Sequence, residues 1–552
     1  MIKNTTAKKQ INNIKPSIVK IPIDNSRDIV YNTLCVSAQF ALTYLYERVV
    51  DMRYNSTTDK NIVVSASQAI AQGISTDGGL FVPMEIPQYG MSEIEALTKL
   101  DYRGRAKKIL ADYLDDFTAD EINECVDKAY TKEKFGGENP APLSYQKFGD
   151  IDMNILELWH GPTSAFKDMA LQILPHLLTK SLKKTTDKEA VILVATSGDT
   201  GKAALEGFKD VDGTKIMVFY PVDGVSPMQK RQMNTQEGKN VSVCAIKGNF
   251  DDAQTGVKRI FTDPELVKKL NDNGYLFSSA NSINWGRLLP QIVYYFSAYS
   301  DMVNAGKIKL GDKINVAVPT GNFGNILAAY YAFRMGLPIN KFICASNSNN
   351  VLTDFISTGT YDKNRSFYAT ISPSMDILVS SNLERFLYHM TEKNDAQVKE
   401  WMTALKTKGA YSVDDATKAK IKDIFVGGFC SEEKTREIIG EFFNKYGYLC
   451  DTHTAVAVSV YKDYVEQTGD KTPTVIDSTA SPYKFSEAVL SSIVNGEALP
   501  EDEFAMVDML SEKTSTEVPA PLAALKTKET RFTSVRAKEE MADFVLSTLG
   551  VN

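Results

Sequence analysis

Histidine is scarce in this 552-residue chain, and the four present, His160, His176, His389 and His453, are too dispersed for an HExxH or similar zinc spacing, so no metal is predicted. Cysteine is also thin. The six, Cys35, Cys125, Cys244, Cys344, Cys430 and Cys450, form no CxxC pair and sit mostly in apolar or strand-like contexts, which reads as reduced, buried thiols rather than a disulfide framework. No run reaches the roughly 18 consecutive apolar residues a membrane-spanning helix needs. Positive charge is not in excess: 62 Lys and Arg against 69 Asp and Glu give a formal net charge of -7, which argues against a nucleic-acid or acidic-membrane partner, because such binding rests on clustered basic residues that release counterions. These absences point to a cytoplasmic protein. Internal repeats and low-complexity tracts are lacking too.

At this length two or three domains are expected, and 43% hydrophobic with 24% charged residues is an ordinary globular balance. The first 51 residues stand apart: Lys3, Lys8, Lys9, Lys15 and Lys20 precede the first acid, Asp24, and the more apolar stretch 34–50 is interrupted by Ser, Gln, Thr, Glu and Arg. A signal peptide needs a compact apolar core and a small-residue cleavage site, so a targeting role is the minor reading. Helical patterns follow at 65–73, 92–113 and 119–130. From Ile151, short β-branched runs at 190–195, 215–220, 241–246, 314–318, 342–345 and 474–476 alternate with helical ones. Strands separated by helices predict an α/β fold with a largely parallel sheet and ligands at the carboxyl ends of its strands. Residues 351–423 read as an insertion of helices and loops, and the charged segment after Glu501 as a tail that wraps the surface.

Lys167 lies in ELWHGPTSAFKDMA (157–170). Taken alone it reads as a solvated lysine at a helix start, as most lysines are exposed. Its neighbours Ala165, Phe166, Met169, Ala170 and Leu171 imply a partly desolvated amine, whose pKa falls and whose nucleophilicity rises, as a Schiff-base lysine requires. Some thirty residues later VILVATSGDTGKAALEGF (191–208) runs from a strand into a small-residue turn that opens a helix, leaving N–H groups and hydroxyls at Thr196, Ser197, Gly198, Asp199, Thr200 and Gly201 for a carboxylate or phosphate. A Walker A loop would need Gly five residues before the Gly201-Lys202 pair and Ser or Thr after it. Those places hold Thr196 and Ala203, so a nucleotide-binding reading fails on spacing.

A third segment, INVAVPTGNFGNILAAYYAF (314–333), repeats the order of strand, Gly-rich turn and helix. Gly321, Asn322, Phe323, Gly324 and Asn325 alone would be a tight turn, but after a strand and in company with the lysine they form a second anion cup. An amine beside a phosphate cradle is what pyridoxal 5'-phosphate asks for. NSINWGR adds Asn281, Ser282, Asn284 and Arg287. That guanidinium is either a surface ion-pair residue or, facing the cleft, a two-point clamp for a phosphate.

Seven segments in one order resemble the threonine synthase family of fold-type II, tryptophan synthase β-like enzymes: MRYNSTTD (52–59), STDGGLFVP (75–83), GPTSAFKD (161–168), ATSGDTGKAA (195–204), NSINWGRLLPQ (281–291), PTGNFGN (319–325) and DSTASPYKF (477–485). The resemblance implies a mostly helical N-terminal region at 52–150, a pyridoxal-phosphate-binding α/β catalytic region of two subdomains at 151–510 with the cofactor between them, and a C-terminal tail at 511–552. Residues 1–51 fall outside it as a leader, expected to be dispensable, with Met52 as an alternative start. The resemblance further implies that Lys167 carries the cofactor and moves protons, that Asp199 faces its 3'-oxygen, that Gly321 to Asn325 hold its phosphate, and that the Thr479 hydroxyl meets its pyridine nitrogen. Many relatives carry Asn where Asp199 stands, so an acid beside a phenolate-like oxygen needs a shared proton or a reorientation. By the same likeness Thr196, Ser197 and Thr200 hold the substrate carboxylate, and Asn281, Ser282, Asn284 and Arg287 its phosphate.

The implied reaction converts O-phospho-L-homoserine and water to L-threonine and phosphate by γ-elimination and β-addition, a carbon-oxygen lyase step that ends threonine biosynthesis. A serine or threonine dehydratase would share the lysine and the phosphate cup but need no second phosphate site. A non-catalytic homologue that binds phosphorylated metabolites would not need Lys167. Monomer and homodimer both stay open.

Overall fold

The computed structural model describes residues 52–551, apart from Ser197, Gly224 and Asn495, and for Phe250 and Asp251 the backbone alone. The leader, Cys35 and Ser197 therefore lie outside the described residues. Near the start a small antiparallel sheet joins β1 (Arg53–Ser56), β2 (Val63–Ser65) and β3 (Phe81–Pro83) in the order β2-β1-β3. Helix Ala66–Gln72 packs on it, and helices Met91–Thr98 and Tyr102–Tyr113 pack on the helix Trp285–Asn304, with Ala119–Ala129 against Tyr102–Tyr113. The pattern at 92–113, expected as one helix, is two, because the Asp101 carboxylate accepts the Gly104 N–H at 2.7 Å and starts a new helix there.

The chain then lays down β4 (Leu143–Phe148), β5 (Ile151–Glu157), β6 (Glu189–Ala195), β7 (Thr214–Pro221), β8 (Val241–Lys247) and β9 (Tyr275–Ser278). It continues through β10 (Ile314–Pro319), β11 (Ile339–Ser346), β12 (Thr360–Asp362), β13 (Ala410–Ser412), β14 (Phe425–Phe429), β15 (Thr474–Ser478) and β16 (Val535–Ala537). Two larger sheets result. The first has the order β14-β11-β10-β15-β5-β4 and is parallel except for β4, which returns antiparallel along β5. The second, β16-β8-β7-β6-β9, is parallel throughout. Every residue of β10 and β15 is buried, as expected of strands covered on both faces.

Carboxyl ends of parallel strands gather the loops that matter. Lys167 follows β5, Asp199 follows β6, the turn at 321–325 follows β10, and Thr479 follows β15. The apolar core reaches these loops from the N-terminal region: the Trp285 ring lies 5.4 Å from Tyr54, 5.6 Å from Tyr113 and 5.3 Å from Tyr331, which seats the helix Trp285–Asn304 and so Arg287 on its first turn.

The segment after Glu501 does more than wrap the surface. β16 adds a parallel strand to β8, and the helix Met541–Leu549 sinks Met541 and Val545 into the core formed by Phe219, Cys244 and Ile246. A tail set apart at 511 thus supplies part of a catalytic-region sheet. The cysteines Cys125, Cys244, Cys344, Cys430 and Cys450 are buried and free. Among the described residues no helix is long and apolar enough to cross a membrane.

Candidate active site

Lys167 is placed by a loop stitched to the end of β15. The Phe166 N–H donates to the Thr479 carbonyl at 2.8 Å, Ala165 bridges Ala480, and the Ser481 N–H donates to the Ser164 carbonyl at 3.0 Å. Inside the loop the Asp168 carboxylate accepts the Thr163 N–H and hydroxyl, both at 2.8 Å. Burial pushes Asp168 up to about 6. The same loss of water, opposed by the charge of Asp199, pulls the Lys167 amine down to about 8, so an appreciable fraction is neutral at physiological pH. Its Nζ lies 4.8 Å over the Phe166 ring and 3.5 Å from Ser374 Oγ.

Asp199 opens the helix Asp199–Phe208 and is almost fully enclosed. Its Oδ1 accepts from Lys484 Nζ at 2.5 Å and from Gln229 Nε2 at 2.9 Å, and its Oδ2 accepts from Ser374 Oγ at 3.3 Å. Burial would raise its pKa, but the charges of Lys484 and Lys167 with these hydrogen bonds outweigh it and hold the carboxyl well below the usual range. Gly198 makes the close approach of Gln229 possible, since at φ 145 a Cβ there would sit 2.3 Å from the Gln229 side chain.

Thr196 and Thr200 differ in what they offer. The Thr196 hydroxyl accepts the Gly198 and Gly201 N–H groups, each at 2.9 Å, and so braces the turn from inside, whereas Thr200 is half-buried on the first helical turn.

The turn after β10 has the form of an anion cradle. Phe323 takes the left-handed conformation (φ 60) and caps the helix Gly324–Arg334, whose first N–H groups have no acceptor within the helix. Gly321 is obligatory: a Cβ there would come within 2.6 Å of the Ser374 carbonyl. The insertion holds this turn from outside. Ser380 Oγ donates to the Gly321 carbonyl at 2.8 Å, the Asn382 N–H to the Asn322 carbonyl at 3.1 Å, and Ser381 Oγ to Asn322 Oδ1 at 3.2 Å. Asn325 Oδ1 accepts its neighbour's N–H at 3.1 Å.

Within NSINWGR the side chains divide. Asn284 is spent on the fold: its Nδ2 donates to the Ile70 and Ser279 carbonyls at 3.0 and 2.9 Å, and its Oδ1 caps the following helix at the Gly286 N–H. Asn281 and Ser282 are half-buried, with Ser282 Oγ 3.3 Å from Ser381 Oγ. Arg287 is 5% exposed; its Nη1 donates to the Ala280 carbonyl at 2.9 Å while its Nε is buried with no partner, and its charge is felt at Lys167. Burial lowers Arg287 to about 10, which leaves it charged at neutral pH.

Sequence reasoning missed four contributors. Lys484 and Gln229 hold Asp199, Ser374 lies between Asp199 and Lys167, and His453 Nε2 accepts the Ser374 N–H at 3.1 Å. With Nε2 accepting, His453 Nδ1 donates to Asp451 at 2.8 Å. Lys484 was visible in DSTASPYKF, but nothing local marks a lysine as buried. The residues present fit pyridoxal phosphate: an amine of lowered pKa, a cradle a Cβ would obstruct, and ionisable groups gathered at strand ends.

The lysine, the Gly-rich cup and Thr479 beyond the carboxyl ends of parallel strands of one sheet, with Asp199 beyond one of the other, define a fold-type II enzyme whose cofactor is pyridoxal 5'-phosphate, and residues 155–424 match the family of pyridoxal-phosphate dependent enzymes. Residues 53–130 match the threonine synthase N terminus and residues 454–545 the threonine synthase C-terminal region. Threonine synthase of Pseudomonas aeruginosa is 38% identical over 81% of this chain and 92% of its own length. The pyridoxal-phosphate-bound threonine synthase structure from Brucella melitensis aligns with a TM-score of 0.79 at 35% identity, over 90% of this chain and 99% of that one. The chain belongs to the threonine synthase family. It is also 43% identical to human threonine synthase-like 1 over 77% of its length, and spans 58% of that longer relative.

Proposed function

We propose that this protein converts O-phospho-L-homoserine and water to L-threonine and phosphate. The observation that carries the reading is the buried Arg287, whose Nε has no partner and whose charge is felt at Lys167, so that a second anion point accompanies the cup at 321–325. A substrate carrying a phosphate of its own uses both points; serine and threonine leave Arg287 uncompensated.

Lys167, the 321–325 turn and Thr479 would hold the cofactor, which when bound would supply an electron sink for charge that develops at the substrate carbons. The protein supplies the rest. Lys167, partly neutral at physiological pH, accepts the substrate Cα proton; Cβ then loses a proton, phosphate departs from Cγ, a proton returns to Cγ, the hydroxyl of water adds at Cβ, and a proton returns to Cα. Phosphate leaves readily only while its charge is held, which falls to Arg287 with Ser282 and Asn281 beside it. Asn284, committed to backbone partners, positions the helix that carries Arg287 rather than touching substrate. Thr200 and the first helical turn receive the substrate carboxylate, joined by Ser197 by family likeness, with Thr196 bracing the turn. Asp199, by family likeness, would face the 3'-oxygen of the bound cofactor.

The test is phosphate release and threonine formation from O-phosphohomoserine by the cofactor-loaded protein, with serine and threonine as comparison substrates. Ammonia release from those two and none of phosphate from the first would replace the proposal with a dehydratase. Inertness toward all three in a protein that binds the cofactor would leave a metabolite-binding role.

A further inference from the structure

Two lysines and one carboxylate share the floor of the site, and the carboxylate is not shared evenly. Lys484 Nζ lies 2.5 Å from Asp199 Oδ1, with their side chains 0% and 3% exposed, and donates also to the Thr163 carbonyl at 3.0 Å. Lys167 meets the same carboxylate through an intermediary, the Ser374 hydroxyl, 3.5 Å from Lys167 Nζ and 3.3 Å from Asp199 Oδ2. Three elements fix the division: the turn Pro482–Phe485 carries Lys484, the helix Pro227–Asn234 sends in Gln229, and the insertion brings Ser374, locked by His453.

We infer that Lys484 is a positioning residue that favours the uncharged form of the Lys167 amine, by engaging the Asp199 carboxylate that would otherwise pair with Lys167 directly. The inference rests on Lys167 being the reactive lysine. A buried ammonium is stabilised by a nearby opposite charge and destabilised by loss of water and by like charge. Around Lys167, Asp199 and Asp168 favour the charged form, Arg287 and Lys484 oppose it, and Asp168 is already turned to Thr163. Removing Lys484 leaves Asp199 buried without its ion-pair partner and Lys167 as the nearby ammonium, an arrangement that drives the proton onto Lys167.

The test measures the Lys167 amine directly in the full chain freed of cofactor, by trace acetylation from pH 6 to 10 with mass-spectrometric quantitation of the Lys167 peptide. Lys484→Met is expected to raise the midpoint by about one unit or more, a tenfold loss of labelling near pH 7. A folded variant with an unchanged midpoint overturns the inference. The double variant Lys484→Met with Asp199→Asn removes the carboxylate as well, and its midpoint should lie at or below that of the unmodified protein. A midpoint raised by about one unit or more in the double variant would mean that the rise does not come through Asp199, and would overturn the inference even if the single variant does not fold. Borohydride reduction of the cofactor-loaded protein followed by peptide mapping keeps the two readings apart: label on another lysine refutes the assignment of Lys167, whatever the titrations give.

Discussion

Replacing Arg287 with lysine keeps a cation on the same helical turn and discards the planar fork. In the fold Nη1 is tied to the Ala280 carbonyl at 2.9 Å while the buried Nε has no partner, so one group anchors the side chain and leaves others for the ligand. An ammonium cannot do both with the same geometry. Hydrogen bonds to charged groups contribute about 1.5–3 kcal/mol each. Losing one in the transition state lowers kcat/KM roughly 10- to 150-fold. Burial adds a second loss. It brings the guanidinium down to about 10, still charged at neutral pH. An ammonium starts roughly two units lower, so the same desolvation erodes its charge within the working range, and the deficit should widen from pH 7 to pH 9. The assay is steady-state phosphate release from O-phosphohomoserine across that range, with cofactor absorbance and thermal unfolding as controls. A folded, cofactor-loaded Arg287→Lys protein within threefold of the unmodified kcat/KM would remove Arg287 from the phosphate site.

Lys167→Ala should reduce turnover to near background, since general acid and base steps contribute roughly 10² to 10⁴ each; the variant should still fold, and substantial turnover in the phosphate assay would refute the role. Gly321→Ala places a methyl 2.6 Å from the Ser374 carbonyl, so cofactor affinity measured by absorbance titration should fall about tenfold or more; unaltered affinity would show that this turn does not hold the cofactor. Asp477, buried with Tyr295 donating to it at 2.7 Å, is pushed by burial up to about 7. Because that value lies above its unfolded one, the folded protein keeps a proton the unfolded chain has released, and this group's contribution falls as pH rises from about 4 to 7. Asp477→Asn should therefore raise Tm more at pH 8 than at pH 5, and an equal change at both would contradict the shift.

Much of the scaffold could be read from local pattern because β-branched runs such as VILVA at β6 and INVAV at β10 are unambiguous. β5, β9 and β14 escaped for physical reasons. β5 alternates polar Asp152 and Asn154 with apolar residues, β9 has four residues, and β14 contains Gly427 and Gly428, poor strand formers placed where a Cβ at Gly428 would strike Val460 at 2.6 Å. Asp199, the 321–325 turn and Thr479 could be placed because each follows a β-branched run, and Lys167 because its segment GPTSAFKD sets a lysine among apolar neighbours. Ser374 and Lys484 could not, since their roles come from long-range contacts: Ser374 reaches the site from an irregular insertion, and Lys484 is distinguished from surface lysines only by complete burial. Asn284 shows the reverse, a polar residue in a ligand-rich motif whose capacity is consumed by Ile70 and Ser279.

The strand β16 has a consequence for how the protein is made. Val535 pairs with Ala245, about 290 residues earlier in the chain, so β8 emerges from the ribosome long before its neighbour exists. At roughly 5–20 residues per second that interval is about 15–60 s. Throughout it the outer edge of β8 is an unpaired parallel edge, and the apolar surface that Met541 and Val545 later cover is open to solvent. Residues 535–549 thus complete the five-stranded sheet only after that interval, and the nascent chain depends on outrunning aggregation, or on a chaperone, until they arrive.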